Sequence, residues 1–188
     1  MAIKTIVLLR HGQYKNEPSE QLTPLGRKQA ILAGKRLKDM KFNKFYFSTL
    51  PRARETAEIV KKTMGYRKKL YGSDFLHECV PGFPKKMRKK YGYTDEKKLM
   101  KHKRQADRAY RDIFTFSKSN RFELVVCHGN IIRYFLCKAL GVDTELWQRL
   151  DIKQCGITVI QLNSKKRSIS IISHNDIGHI PLKMQTFI

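Results

Sequence analysis

The stretch Thr5-Ile6-Val7-Leu8-Leu9-Arg10-His11-Gly12 sets the architecture. Residues 3–9 are rich in Ile, Val and Leu and are cut off abruptly by Arg10-His11-Gly12, the pattern of a strand buried on both faces. A second run, Phe122–Cys127, ends the same way at His128-Gly129. Helical signals follow each corner. Thr23 is suited to cap a helix with Pro24 at its first position, and Leu25, Ala30, Ala33 and Leu37 share one face of a helix predicted to run to about residue 39. Residues 131–140 read as a helix closed by Gly141. Between these, Phe45–Ser48 reads as an aromatic strand. Pro51 then opens a helix that turns Ala53, Ala57, Val60 and Met64 inward. Strand, polar corner and helix recur, which predicts an α/β fold: a three-layer α/β/α sandwich with a mostly parallel central sheet.

The remaining segments fit around this plan. Residues 69–76 can add a strand, and Glu78 to Tyr93, with Pro81, Gly82, Pro84 and Gly92, reads as an excursion of the length that often carries function. A long basic helix is predicted over 95–117, with Leu99, Ala106, Ala109, Tyr110 and Ile113 at helical spacing. Residues 157–162 and 168–173 alternate as two strands of a hairpin, whereas 174–188 carry no clear period. One domain over residues 1–188 is expected from the length.

The 41% apolar and 10% aromatic content suits a globular chain. The opening apolar run stops at Arg10, far short of the roughly 20 residues that span a bilayer, so no transmembrane segment is expected. Cys79, Cys127, Cys137 and Cys155 form no CxxC pair and sit in or beside apolar runs, which fits reduced thiols and a cytoplasmic location. Thirty-nine Lys and Arg against 16 acids give a formal charge of +23. A field of that sign gathers anionic partners of any kind, phosphorylated proteins and nucleic acid alike. No motif for reading bases is present, so non-specific anion binding is the most that charge predicts. Residues 83–111 hold twelve Lys or Arg and three acids, which suits either a solvated face or the steering of acidic phosphosubstrates.

Functional groups of an open α/β sheet gather at the carboxyl ends of its strands, so His11 and His128 are expected in one pocket. Gly12 and Gly129 would let the backbone turn and approach a phosphate, and the helix opening near Asn130 would offer N–H groups to it. Arg10 and Arg52 supply forked, permanently charged donors for phosphoryl oxygens, and a protonated His128 would add another. A neutral imidazole is a competent nucleophile near pH 7, which gives His11 that role. One carboxyl group can protonate the leaving alkoxide and later activate water if its pKa is raised; Glu78 is the candidate, with His77 a weaker one. His102, His174 and His179 lack metal-ligand spacing, and no metal site is predicted.

Val7-Leu8-Leu9-Arg10-His11-Gly12 resembles the signature of the histidine phosphatase superfamily, which includes the phosphoglycerate mutases. Residues 22–30 (LTPLGRKQA), 48–57 (STLPRARETA) and 127–130 (CHGN) follow in that family's order and approximate spacing. The resemblance implies the phosphoglycerate mutase-like sandwich and phosphomonoester hydrolysis through a phosphohistidine without metal or cofactor. It assigns His11 as the phosphorylated residue, Arg10, Arg52 and His128 to the phosphate pocket, and Glu78 as the acid. Within the superfamily, Arg10–Tyr14, residues 127–135 and residues 175–181 are similar to the mitochondrial protein Ser/Thr phosphatases of the phosphoglycerate mutase family. A mitochondrial location is implied by that likeness alone. The amino-terminal membrane anchor and multimerisation segment of that branch have no counterpart here, so membrane attachment and large assemblies are not expected, while a homodimer of the catalytic domain is compatible.

Three functions remain in competition on sequence grounds. The first is a phosphatase of phosphoserine and phosphothreonine proteins. The second is a phosphohistidine or small-molecule phosphatase using the same pocket. The third is a basic binding or scaffold protein for RNA, polyphosphate or an acidic partner, with an idle pocket.

Overall fold

A computed structural model describes residues 2–15 and 18–187. Six strands make one sheet: β1 (Ile3–Arg10), β2 (Lys44–Ser48), β3 (Leu70–Ser73), β4 (Arg121–Cys127), β5 (Ile157–Asn163) and β6 (Ser168–Asp176), in the order β3-β2-β4-β1-β5-β6. The first four are mutually parallel, β5 is antiparallel to β1, and β6 to β5. The mostly parallel sheet predicted from the repeated strand and helix is thus present, with the 157–176 hairpin as its antiparallel margin.

Period-2 side-chain alternation explains the layers. Ile6 and Leu8 of β1, with Val125 and Cys127 of β4, face one core, which is completed by Ala106, Ala109 and Ile113 of α4 (Glu96–Ile113) and by Ile131, Ile132 and Phe135 of α5 (Gly129–Leu140). Val7 and Leu9, with Leu124 and Val126, face the other. There Ala30, Ala33 and Leu37 of α1 (Pro24–Leu37) and Ala53, Ala57 and Val60 of α2 (Pro51–Met64) cover the sheet. Strands buried on both faces favour unbroken apolar runs, as at Ile6–Leu9 of β1 and Leu124–Cys127 of β4, and the charged pair that precedes them, Lys4 and Glu123, is mutually neutralised at 2.8 Å.

Local chemistry fixes the ends. The Thr23 hydroxyl accepts from the Gly26 N–H at 3.0 Å, starting α1, and Gly65 and Gly141, both left-handed, close α2 and α5. The basic helix ends at Ile113, four residues before the predicted end. Its last carbonyl is taken by the Lys4 ammonium at 2.6 Å, and Phe114 leaves the helix to stack on Tyr110 with ring centroids 4.1 Å apart. The strand expected over 69–76 stops at Ser73, because a 3-10 turn (Asp74–Leu76) drops Leu76 into the core. The excursion that follows contains α3 (Lys85–Arg88) and is pinned by Phe83 against Trp147, whose indole N–H donates to the Gly82 carbonyl at 2.7 Å.

Candidate active site

The register of β1 against β4 builds the centre of the site. Arg10 lies opposite Cys127, so the next residues, His11 and His128, emerge side by side from the carboxyl end of the sheet. The His11 N–H donates to the Cys127 carbonyl at 3.0 Å, and the two imidazole centroids are 5.0 Å apart. From the neighbouring β2, Ser48 ends its strand at the same level and places its hydroxyl 2.7 Å from His128 Nε2. Arg52 enters from the first turn of α2, four residues past the end of β2.

His11 is buried, and its Nδ1 lies 2.8 Å from the Gly12 carbonyl. A carbonyl can only accept, so Nδ1 carries the proton and Nε2 keeps its lone pair. Burial, reinforced by the positive charges of Arg10 and Arg52, holds the imidazole well below its ordinary pKa. The imidazole is therefore neutral, with the Nε2 lone pair free. His128 is also held well below its ordinary value, chiefly by burial and then by His11 and Arg52. The lowered value favours the neutral imidazole, so the added donor considered for a protonated His128 has to come from a ring N–H. In the tautomer that protonates Nδ1, Ser48 donates to Nε2 and the Nδ1 proton is the donor for an anion.

Among the described residues, three buried nitrogens around His11 lack a protein partner: Arg10 Nε, Arg52 Nε and His128 Nδ1. Native folds pair nearly all buried polar atoms, so three unpaired nitrogens about one imidazole leave hydrogen bonds that a bound anion can complete. All three are donors or can become one, and two carry full positive charge. The pocket is chemically suited to a multiply charged oxyanion. Arg10 is anchored by Nη1 donating to the Ile152 carbonyl at 2.5 Å. Arg52 is held between the Tyr14 ring, 4.6 Å from its guanidinium carbon, and the Glu20 carboxylate, 2.6 Å from Nη1.

Glu78 lies beside this set at the start of the excursion. Its Oε1 accepts from the backbone N–H groups of Asn130, at 3.2 Å, and Cys79, at 3.3 Å. Burial pushes its carboxyl above the usual range, against the opposing pull of Arg10 and Arg52. The competing His77 is turned away to the Thr49 hydroxyl, 2.6 Å from its Nε2, and to Asp74.

The glycines and Asn130 work differently from the sequence expectation. Gly12 does not offer its N–H to an anion, because that group donates to the Thr56 hydroxyl at 3.1 Å. Its missing side chain is required by α1 instead, since a Cβ there would lie 2.5 Å from the Gly26 carbonyl oxygen. At Gly129 a Cβ would press against Arg10 Nε at 3.3 Å, so this glycine makes room for the arginine. Asn130 is likewise engaged: its N–H holds Glu78 and its side-chain oxygen accepts from Arg133 Nη2. Both residues shape the pocket.

Sequence reasoning missed Tyr14, Glu20, Ser48, Thr56 and Arg133. Two of these carried a spacing signal. Thr56 follows Arg52, and Arg133 follows Gly129, by the four residues that bring side chains together on a helix. Arg133 stacks over Trp147 and donates to the Leu150 and Gly129 carbonyls, bracing the start of α5. Glu20, by contrast, sits on a loop whose return path no periodicity predicts. Among the described residues, no group of three or more His, Cys, Asp or Glu could hold a metal ion. No described helix is long and apolar enough to cross a membrane.

A pair of imidazoles flanked by two arginines at the carboxyl ends of parallel strands defines a class, and comparison with known proteins agrees. The model of the histidine phosphatase superfamily (branch 1) matches residues 6–175, and the chain belongs to that family. It is 40% identical over 187 residues to a Caenorhabditis elegans protein named serine/threonine-protein phosphatase Pgam5, mitochondrial, covering 96% of this chain and 65% of that one. The Drosophila melanogaster protein of the same name is 33% identical over 195 residues, with 96% and 66% covered. The chain thus spans just under two thirds of the length of these relatives. Among solved structures, a phosphoglycerate mutase from Plasmodium falciparum superposes with a TM-score of 0.67 at 28% identity, covering all of both chains. YhfR from Bacillus stearothermophilus, at 23% identity and a TM-score of 0.76 over 95% of this chain and all of that one, shares the fold.

Proposed function

We propose that this chain hydrolyses phosphomonoesters in two displacements at His11, and that its substrates are phosphoserine and phosphothreonine proteins. The observation that carries the reading is the state of His11: neutral, with Nδ1 donating to Gly12 and Nε2 free, among three unpaired buried nitrogens. In the first step the Nε2 lone pair bonds to phosphorus while the phosphorus–ester oxygen bond breaks. The leaving alkoxide takes the proton of the Glu78 carboxyl, and Arg10, Arg52 and His128 Nδ1 bind the phosphoryl oxygens. In the second step Glu78 accepts a proton from water as its oxygen attacks the phosphohistidine. Phosphate departs and Nε2 recovers its lone pair.

The protein substrate class is supported by the names of the relatives and by the charge of the excursion that begins at Glu78. Lys85, Lys86, Lys89 and Lys90 are exposed on the excursion that begins at Glu78, and Lys97, Lys98 and Lys101 on the neighbouring turn of α4. The three acids of residues 83–111 are already engaged: Asp95 caps α4, Glu96 pairs with Arg88, and Asp107 with Lys138. The surplus charge faces outward, where it can steer an acidic phosphoprotein. The relatives' names also suggest a mitochondrial compartment, in which the four buried thiols would stay reduced as they would in the cytoplasm.

The test is turnover of phosphopeptides, a small phosphorylated amino acid and an aryl phosphate in excess chelator, by the parent and by His11→Ala. The reading expects chelator-resistant turnover that His11→Ala abolishes, with phosphopeptides preferred by kcat/KM. Equal rates in parent and variant would end it. Preference for the compact substrates would retain the chemistry and replace the substrate class.

A further inference from the structure

Among the described residues, Arg52 is the phosphate-pocket arginine that is paired with a carboxylate. Its Nη1 is 2.6 Å from Glu20 Oε2, while the arginine itself is buried and the glutamate side chain is 39% exposed. We infer that Glu20 competes with phosphate for Arg52 and so sets how weakly the site holds substrate and product. The inference rests on the reading of this pocket as a phosphatase site.

The loop is built to make this contact. Tyr14 and Leu22 pair as an antiparallel bridge, and the Lys15 N–H donates to the Gln21 carbonyl at 3.0 Å, so the chain returns on itself at the pocket rim. The Leu22 N–H is tied to Glu55 at 2.8 Å, one helical turn along α2 from Arg52. Glu20 adopts a left-handed backbone, φ +49°, which non-glycine residues rarely enter and which persists when the surroundings enforce it. The two sides of the stem therefore clasp one guanidinium: Tyr14 stacks on its face at 4.6 Å, and Glu20 takes an edge. Tyr14 also meets His11 edge-on at 5.1 Å, which ties the clasp to the nucleophile.

The electrostatic consequence follows directly. A phosphate dianion brought to Arg52 either displaces the Glu20 carboxylate or sits beside it with like charge, and binding is weakened in both cases. Inorganic phosphate, the product, meets the same opposition. Glu20 is already withdrawn from or opposed to the phosphoryl group in both the bound state and the transition state, so its effect belongs to ground-state affinity rather than to the chemical step.

The test compares the parent with Glu20→Gln and with Glu20→Asn, a residue the left-handed region accepts more readily, which guards against misfolding of the loop. Two readouts are taken: calorimetric binding of inorganic phosphate, which needs no turnover, and KM and kcat on an aryl phosphate. For a partly exposed ion pair the expected gain is roughly two- to fivefold in phosphate affinity, with a matching fall in KM and kcat within twofold. Unchanged or weaker phosphate binding in both variants overturns the inference, as does a loss of kcat at constant affinity. If the parent binds phosphate and both variants bind it more tightly, yet none turns over, Glu20 has the assigned part and the hydrolytic reading fails. Turnover with unaltered affinity has the opposite meaning.

Discussion

Replacing Glu78 with Gln isolates the proton from the scaffold around it. Glu78 Oε1 accepts two backbone N–H groups, from Asn130 and Cys79, and a glutamine side-chain oxygen can keep both. The variant therefore preserves the helix start and the pocket wall while losing the transferable proton. General acid catalysis contributes roughly 100- to 10,000-fold, which at about 1.4 kcal/mol per factor of ten is about 3–5 kcal/mol of barrier. That loss should depend on the leaving group. A serine alkoxide must be protonated as it departs, whereas a nitrophenolate leaves largely unaided. Glu78→Gln should thus lose roughly two decades or more in kcat on phosphoserine peptides, and much less in formation of the phosphoenzyme from an aryl phosphate. The pH profile supplies a second reading. Burial raises the Glu78 carboxyl, so the acid form persists above the ordinary carboxylate range, and parent kcat/KM on phosphopeptides falls as pH rises through that raised value. His11 has its pKa depressed, so no loss of rate is expected on acidification through the ordinary histidine range. Steady-state kinetics on both substrate types across pH, with burst kinetics for the aryl phosphate, measure all of this. Equal losses on both substrates, or an alkaline limb that survives in Glu78→Gln, would refute the acid role.

Two further substitutions test the frame of the pocket, and one linkage tests its electrostatics. A Cβ at Gly26 would fall well inside contact distance of the Gln13 backbone, so Gly26→Ala should cost about 1–3 kcal/mol or more in chemical denaturation and lower kcat by shifting the segment behind His11. An unchanged midpoint would contradict that packing. Lys4→Met should cost about 3–5 kcal/mol, because it leaves Glu123, its 2.8 Å partner at 4% exposure, charged and buried at the other end of the sheet. Adding Glu123→Leu should recover most of this, and failure to recover would mean that Lys4 acts through the Ile113 carbonyl instead. Glu78 also carries a stability signature: its folded pKa is raised, so the folded state holds the proton longer than the unfolded one, and stability falls as pH rises from the ordinary carboxylate value through the raised one. Glu78→Gln should therefore gain thermal stability relative to the parent at neutral pH and lose that advantage at acid pH; a constant difference across pH would oppose it.

The sheet was legible because its central strands are buried on both faces toward their carboxyl ends, where Ile6–Leu9 and Leu124–Cys127 run without a polar residue. Strand order was not, since adjacency of β1 and β4 depends on side-chain fit between segments more than a hundred residues apart. Corners with their own chemistry were readable, as with Thr23 and Pro24 at α1 or Gly141 after α5. The end of α4 was not, because Lys4, remote in the chain, takes its last carbonyl. At the site, His11, His128, Arg10 and Arg52 announced themselves by type and motif. What Gly12 and Asn130 do there could not be read, since it depends on which partner reaches their N–H groups first: Thr56 from α2 and Glu78 from the excursion. Glu20 reaches Arg52 through a loop with no period at all.

The central claim is that His11 Nε2 becomes phosphorylated, and one measurement addresses it directly. The parent is mixed rapidly with an aryl phosphate in chelator, quenched under alkaline denaturing conditions that preserve phosphohistidine, and examined by phosphorus–nitrogen correlated NMR of labelled protein and by peptide mapping. The account predicts one phosphoryl group, on His11, bonded to Nε2, because Nδ1 is occupied by its bond to the Gly12 carbonyl. Phosphate on His128, on Nδ1 of His11 or on a cysteine, or turnover with no phosphoenzyme, would contradict it.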